Sequence, residues 1–420
     1  MKKISAPGKI LLGMIIGVII GIIMEHFPVE GGMFRFTANT ADVLGAIFLN
    51  AFQMIVGPVV FISLVLGVMN MNNPVILGRV GLKTIAMYFI TTILAIGCGL
   101  LVAWLLTPGA GVDLSRVAGG VKYQVPALER VNSFADVLIN IVPKNIIRAF
   151  AENVMLQIIF VAILCGIALA MLGDEIKQLK QLVEEFNRLN IKIIDLIMKF
   201  APVGVCALMI STFARFGYEA LLPLVMYIVC VALAMLLLVV AAYAPMLKFY
   251  VNISPWHFLK KFFPVVVLGF STSSSNAALP LNIEILIKKI GVSEKLATLI
   301  LSLGATLNMN GTAIMQGVGA LFIAQLYHID LTFAAIASIV FTAVVASMGT
   351  AGVPGAGIIM LAMVLQSAGL PLEGIAVLMG VDRLIDMMRT AINIAGDAIC
   401  TCVIAKNEGA LDKAVFAAAD

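Results

Sequence analysis

The chain has 420 residues, 62% of them hydrophobic and only 12% charged, with a formal net charge of +4. Soluble domains run nearer half apolar and a quarter charged, and here apolar stretches long enough to cross a bilayer core recur throughout. The composition excludes a soluble protein, and the basic residues gather at the ends of apolar segments, so the positive charge gives no reason to expect a nucleic-acid partner.

In chain order, Met1-Lys2-Lys3 precedes the first apolar run with no small-residue cleavage site after it, which predicts a retained first helix. Spans are predicted near 9–28, 41–71, 82–106, 136–172, 190–214, 219–249, 294–324 and 372–405, with two interrupted regions at 256–289 and 331–370. Gly13, Gly17 and Gly21 on the first helix form a small-xxx-small packing stripe. Lys and Arg mark cytoplasmic ends. Lys2, Lys3 and Lys9 put the N-terminus inside, and Arg79, Lys83, Lys177, Lys180, Arg188 and Lys192 fit later inside loops. Lys260 and Lys261, and then Lys288 and Lys289, fall on that same side and flank a hydroxyl-rich run, so the segment between them enters the membrane and returns. The loop 107–135, with only three basic residues, falls outside.

That hydroxyl-rich run is Ser271-Thr272-Ser273-Ser274-Ser275-Asn276. The second interrupted region holds Ser347-Met348-Gly349-Thr350-Ala351-Gly352-Val353-Pro354-Gly355-Ala356-Gly357, too rich in Gly and Pro to continue a helix. Non-helical backbone at membrane depth is tolerated only where protein or a water-filled cavity satisfies it. Two broken segments in corresponding places point to a transporter's midplane site. The six cysteines lie inside apolar runs without metal-type spacing and predict no disulfide. The three histidines stand singly, and no nucleophile–base or cofactor motif suggests an enzyme.

In the last span Asp382, Asp386, Arg389, Asn393 and Asp397 are spaced 4, 3, 4 and 4, one stripe on an α-helix. Ionisable groups in a membrane cost about 2.5–3.5 kcal/mol each even on a lenient scale, so the stripe must face protein, water or ligand. Salt bridges from Arg389 and Arg383 to Asp386 account for part of it. Asp397 has no cation of its own, and with Asn308, Asn310 and a predicted unwinding around Gly304–Thr312 it suggests an oxygen-only site for a hard cation. Arg389 offers a planar fork for a carboxylate, Asp386 an acceptor for an ammonium, and the broken segments offer backbone donors for a second carboxylate. An acidic amino acid meets all three demands. A C4-dicarboxylate leaves Asp386 in a like-charge conflict, and a channel suits a ring of one sign better than this alternation.

Ser273-Ser274-Ser275 with Leu279-Pro280, Asn308-Met309-Asn310-Gly311-Thr312, Gly349 to Gly357, and Asp386 to Asp397 together resemble the dicarboxylate/amino acid:cation symporter family of glutamate and aspartate transporters. The resemblance implies an all-α polytopic membrane protein with eight transmembrane helices and two re-entrant helical hairpins, built from inverted repeats and working as an elevator. It implies a homotrimer in the inner (plasma) membrane, with both termini cytoplasmic. Residues 1–78 and 136–216 would form a scaffold, 108–135 an extracellular loop, and 79–107 with 217–420 a transport domain. Arg389, helped by Thr312 and Gly357, would bind the substrate's side-chain carboxylate and Asp386 its amine. Asn393 and the Ser273, Ser274 and Ser275 tip would hold the main-chain carboxylate, with Thr390 and Val353 lining the pocket. One sodium ion would sit on Gly304, Asn308, Asn393 and Asp397, and another on carbonyls of Thr306, Ser347, Met348 and Thr350. A third would use Tyr88, Thr91, Thr92 and the signature's aspartate. That aspartate is Asn310 here, which predicts fewer coupled sodium ions or a sodium-independent, proton-linked carrier. Gln316 stands where proton-coupled relatives carry glutamate, and Arg383 is similar to the bacterial dicarboxylate branch.

Overall fold

The computed structural model describes residues 6–25, 32–69, 79–110, 142–152, 155–216, 221–348, 350, 355–372 and 374–417. Val353, residues 111–135 of the predicted outside loop, and the ends of several predicted spans lie outside the described residues. Within them the chain is helical almost throughout, with one isolated bridge between Val292 and Leu411. An α-helix satisfies its backbone donors and acceptors internally, which is what an apolar chain in lipid requires. Three helical stretches, Arg79–Leu106, Leu222–Val251 and Val377–Asn407, are each long and apolar enough to cross a bilayer, and a fourth candidate, Lys177–Ile194 with Lys199–Ser211, is bent by 48°. The large side chains of Leu82, Trp104, Leu222 and Phe333 are exposed. Polar side chains within and apolar ones without suit a protein surrounded by lipid.

The helices are α1 (Ala6–Glu25), α2 (Gly32–Met69), α3 (Arg79–Leu106), α4 (Ile146–Ala151), α5 (Met155–Leu172), α6 (Lys177–Phe216) and α7 (Leu221–Leu238). They continue as α8 (Pro255–Thr272), α9 (Ser275–Ile285), α10 (Glu294–Leu307), α11 (Asn310–Leu326), α12 (Phe333–Met348), α13 (Ala356–Ser367), α14 (Gly374–Asn407) and α15 (Lys413–Ala417). Some boundaries differ from those predicted. The span expected at 190–214 is the second part of α6, a 40-residue helix, because the Lys-, Gln-, Leu- and Glu-rich run before it contains good helix formers and no breaker. The span expected at 136–172 is divided, with Asn145 capping the short α4 through a bond to the Arg148 amide. Pro245 has no N–H to offer, and π-helical turns on either side of it extend α7 to Val251.

Two packing groups are visible. Helices α1, α2, α5 and α6 pack on one another. The glycine stripe of α1 lies on α6, where a Cβ at Gly17 would stand 2.7 Å from that of Met209. Helices α3 and α7 to α14 gather around α11 and α14, and α11 is buried over nearly its whole length. The groups meet where α14 touches α6 and α1, and where α13 touches α2 and α5. Helix α15 folds back under α8, with Lys261 Nζ donating to the Phe416 carbonyl at 3.0 Å.

Candidate substrate and cation site

Helix α14 carries the polar stripe into the second group. Asp386, Arg389, Asn393 and Asp397 are all buried, as is Arg383. Asp386 Oδ1 accepts from Arg389 Nε at 2.8 Å and Nη2 at 2.5 Å. Its other oxygen, Oδ2, accepts from Arg383 Nη1 at 3.3 Å and from the Gly355 amide at 3.1 Å. The expected internal salt bridges are therefore present, and Asp386 is neutralised within the protein. Opposite unit charges about 4 Å apart attract by roughly 4 kcal/mol at an effective dielectric constant near 20, which offsets part of their desolvation.

Arg389 is not saturated. Its Nη1 is buried with no hydrogen-bond partner among the described residues. It lies against the first turn of α13, where a Cβ on Gly357 would overlap Nη1 and Cζ, so only glycine admits the guanidinium. Gly355, just before α13, adopts φ +79, a left-handed conformation that suits glycine. Gly355 as a partner of Asp386 had no signal in the sequence beyond its place in the Gly-rich run.

From the other side, α11 begins at Asn310 after a break at Asn308 and Met309, where the backbone leaves helical angles, as the predicted unwinding requires. The Gly311 amide, one of the first-turn donors with no intrahelical acceptor, donates to Asn393 Oδ1 at 2.7 Å. Asn393 Nδ2 reaches Thr312 Oγ1 at 3.4 Å and Met309 Sδ at 3.1 Å. A Cβ on Gly311 would stand 2.5 Å from the Arg389 carbonyl oxygen, so the two helices touch backbone to backbone. The serine run turns between α8 and α9: Ser273 is left-handed at φ 52, and Ser274 is extended and caps α9 through the Ala277 amide. Ser275 is buried, and Ser273 Oγ is buried without a partner among the described residues. A Cβ on Gly269 of α8 would stand 2.3 Å from Ile394 Cδ1 and 3.7 Å from the methyl of Thr390, whose hydroxyl donates to the Asp386 carbonyl at 2.8 Å. Thr312, Gly357, Asp386, Arg389, Thr390 and Asn393 thus come together, and the Ser273–Ser275 turn follows one helical turn after Gly269, where α8 lies beside Thr390.

The residues expected to hold cations fall into three places. Gly304, Asn308 and Asp397 meet: Asn308 Nδ2 donates to Asp397 Oδ1 at 2.9 Å, and a Cβ on Gly304 would overlap that oxygen. Asn393 turns its side chain to α11. Ser347 and Met348 end α12 and Thr350 lies just beyond it; α12 contacts α10, the helix that carries Thr306. The hydroxyls of Ser347 and Thr350 bond carbonyls one turn back, at 2.8 Å to Val344 and 2.7 Å to Ala346. Final-turn carbonyls without intrahelical donors suit a cation. In the third place, Thr91 Oγ1 reaches Asn308 Oδ1 at 3.3 Å and Thr92 Oγ1 donates to Asn310 Oδ1 at 2.9 Å. Asn310 Nδ2 donates to the Tyr243 hydroxyl at 2.8 Å, and Tyr88 donates to the Ile300 carbonyl at 2.8 Å. Asn310 is hydrogen-bonded at both ends with no charge involved. Tyr243 had no signal in the sequence, being one aromatic in an apolar run. Gln316 is fully buried, with both side-chain polar atoms lacking partners among the described residues.

The model of the sodium:dicarboxylate symporter family matches residues 7–407. The chain is 34% identical to the proton/sodium-glutamate symport protein of Bacillus caldotenax, covering 97% of this chain and 96% of that one. It is 34% identical to the proton/glutamate-aspartate symporter of Escherichia coli K12, over 98% and 94%. It is 32% identical to the C4-dicarboxylate transport protein of Bacillus subtilis 168, over 97% and 94%. Full-length similarity of this kind, on a chain that is helical and apolar almost throughout its described residues, makes it a membrane transporter and not an enzyme; the chain belongs to the sodium:dicarboxylate symporter family.

Proposed function

We propose that the protein is a secondary active symporter importing glutamate or aspartate, coupled to a cation, across the plasma membrane. The observation that carries this reading is the buried Asp386–Arg389 pair, in which the arginine keeps one unpartnered donor. A ligand bearing both an ammonium and a carboxylate on its side chain exchanges with that pair: the ammonium takes Asp386 Oδ1, and Arg389 turns its fork to the carboxylate. Asn393, Thr312, Thr390 and the Ser273–Ser275 turn receive the main-chain carboxylate, with Gly357 admitting the guanidinium. Each interaction made inside protein replaces one that the empty site already holds, so binding is selective against ligands lacking either charge.

Sodium is the coupled cation in this reading, held by the oxygens around Asp397 and by the end of α12. The third place, around Asn310, binds no ion because a neutral, fully hydrogen-bonded amide offers no charge to offset desolvation. Transport follows an elevator scheme in which residues 79–107 and 217–420 move against 1–78 and 136–216 within a homotrimer having eight spans, two re-entrant hairpins and both termini cytoplasmic. The division of the helices into two packing groups supports it. The test is aspartate binding to purified protein. Asp386→Asn should weaken it about a hundredfold, as expected when a buried charged hydrogen bond worth roughly 3 kcal/mol is lost; unchanged affinity would remove the ammonium from Asp386.

A further inference from the structure

Three stretches long and apolar enough to cross a bilayer end at one level. Val251 closes Leu222–Val251, Arg79 opens Arg79–Leu106 and Asn407 closes Val377–Asn407. Polar contacts tie these ends together. Glu408 accepts from Lys83 at 2.6 Å and lies 3.7 Å from Arg79 Nε, the Tyr250 hydroxyl donates to Asn407 Oδ1, and Lys406 Nζ donates to the Tyr250 carbonyl. This level is a membrane–water interface, and cations gather at it.

At the same level the chain turns a corner between the π-helical end of α7 and the start of α8. Asn252 is left-handed at φ 61, and Ser254 caps α8 through the His257 amide. Lys248 and Phe249 stand on one side of the corner, Trp256 and Lys260 on the other. Phe249 is 73% exposed and Trp256 64%, positions that suit rings with one face in hydrocarbon and an edge among headgroups. Each ring is covered by a lysine, with Lys248 Nζ 5.5 Å from the Phe249 centroid and Lys260 Nζ 5.8 Å from that of Trp256. Lys83 and Lys406 already have oxygen acceptors in the protein. Lys248 and Lys260 have no carboxylate partner among the described residues.

Two uncompensated ammonium groups above two exposed rings match a lipid head that carries net negative charge. We propose that this corner docks an anionic phospholipid, its phosphate held by Lys248 and Lys260 and its acyl chains lying on Phe249, Trp256 and the exposed Leu259 and Phe263 of α8. The corner belongs to the group of helices that carries α14, so the lipid attaches to the part of the molecule that holds the charged stripe. The inference is independent of which solute is carried.

The chain has two tryptophans, Trp104 and Trp256, which makes the corner observable. In a Trp104→Phe background, the full-length protein in phosphatidylcholine vesicles reports lipid at the corner through Trp256 fluorescence. Brominated phosphatidylglycerol should quench it with a binding constant at least about tenfold above that of brominated phosphatidylcholine, since each basic residue near an anionic surface contributes about fivefold. Lys248→Gln combined with Lys260→Gln should abolish the preference, and Lys248→Arg combined with Lys260→Arg, which keeps both charges, should preserve it. Trp104 lies at the far end of α3 from Arg79 and, in a Trp256→Phe background, should show no such preference. Equal constants for the two lipids at Trp256, an unchanged ratio in the double glutamine variant, or the same preference at Trp104 overturns the inference. Quenching of Trp256 by neither lipid overturns it as well, because water or another protein then faces the corner.

Discussion

Replacing Asn310 by aspartate tests why this chain should couple to fewer sodium ions. Asn310 is fully buried, accepting from Thr92 at 2.9 Å and donating to Tyr243 at 2.8 Å. An aspartate keeps the first bond and obliges the tyrosine to reverse its hydroxyl for the second. It also introduces a buried charge beside Thr92 and Tyr243, neither of them cationic. An uncompensated buried charge costs about 3–5 kcal/mol, so Asn310→Asp should lower the unfolding temperature in choline buffer. A sodium ion bound beside that carboxylate supplies the missing counter-charge and offsets the penalty at least in part. The unfolding temperature should therefore recover in sodium, and the dependence of aspartate binding on sodium should steepen by about one ion. Thermal unfolding and aspartate titrations, each in sodium and in choline, measure both quantities. Equal stability of the two proteins in choline, or a sodium dependence identical to that of the unaltered chain, would refute the view that the amide silences this place. A three-ion dependence in the unaltered chain would refute it sooner.

Arg389→Cys should cost acidic amino acids at least about a hundredfold in affinity, since a buried pair broken on one side loses about 3–5 kcal/mol, and should shift uptake toward small neutral amino acids in competition assays. Gly304→Ala puts a methyl into the Asp397 carboxylate and within 2.8 Å of the Tyr88 hydroxyl, so the sodium concentration needed for half-maximal aspartate binding should rise about tenfold or more. Gly97→Ala, where a Cβ meets nothing within 4 Å, serves as the matched control and should leave it unchanged. At the end of α14, Glu408 accepts from Lys83 at 2.6 Å, and this bond holds its carboxyl below the usual carboxylate range. A depressed carboxyl contributes above its unfolded pKa and loses that contribution as pH falls through its folded value. Amide protection across Glu408–Asp412, taken relative to the intrinsic exchange rate at each pH, should fall on acidification into that range, and Glu408→Gln should show the lower protection without that pH step.

Much of this molecule was legible before any coordinates. Apolar runs interrupted by glycine, proline and serine imply helices and chain reversals, because backbone in oil must bond to itself or to a polar cavity. Acids, an arginine and an asparagine spaced 4, 3, 4 and 4 imply one helical edge, since i, i+3 and i+4 positions are neighbours whatever the rest of the fold does. Even the pairing of Arg389 and Arg383 with Asp386 was readable, because all three lie on one helix within two turns. Contacts between distant segments were not readable in this way. The seating of Gly355 on Asp386 Oδ2, the meeting of Asn310 with Tyr243, and the apolar wall from α1, α2 and α6 that confines Arg383 join residues 31, 67 and more than a hundred positions apart. Local spacing carries no information about such pairs; packing of one helix against another decides them, and with them which donors share the two oxygens of Asp386.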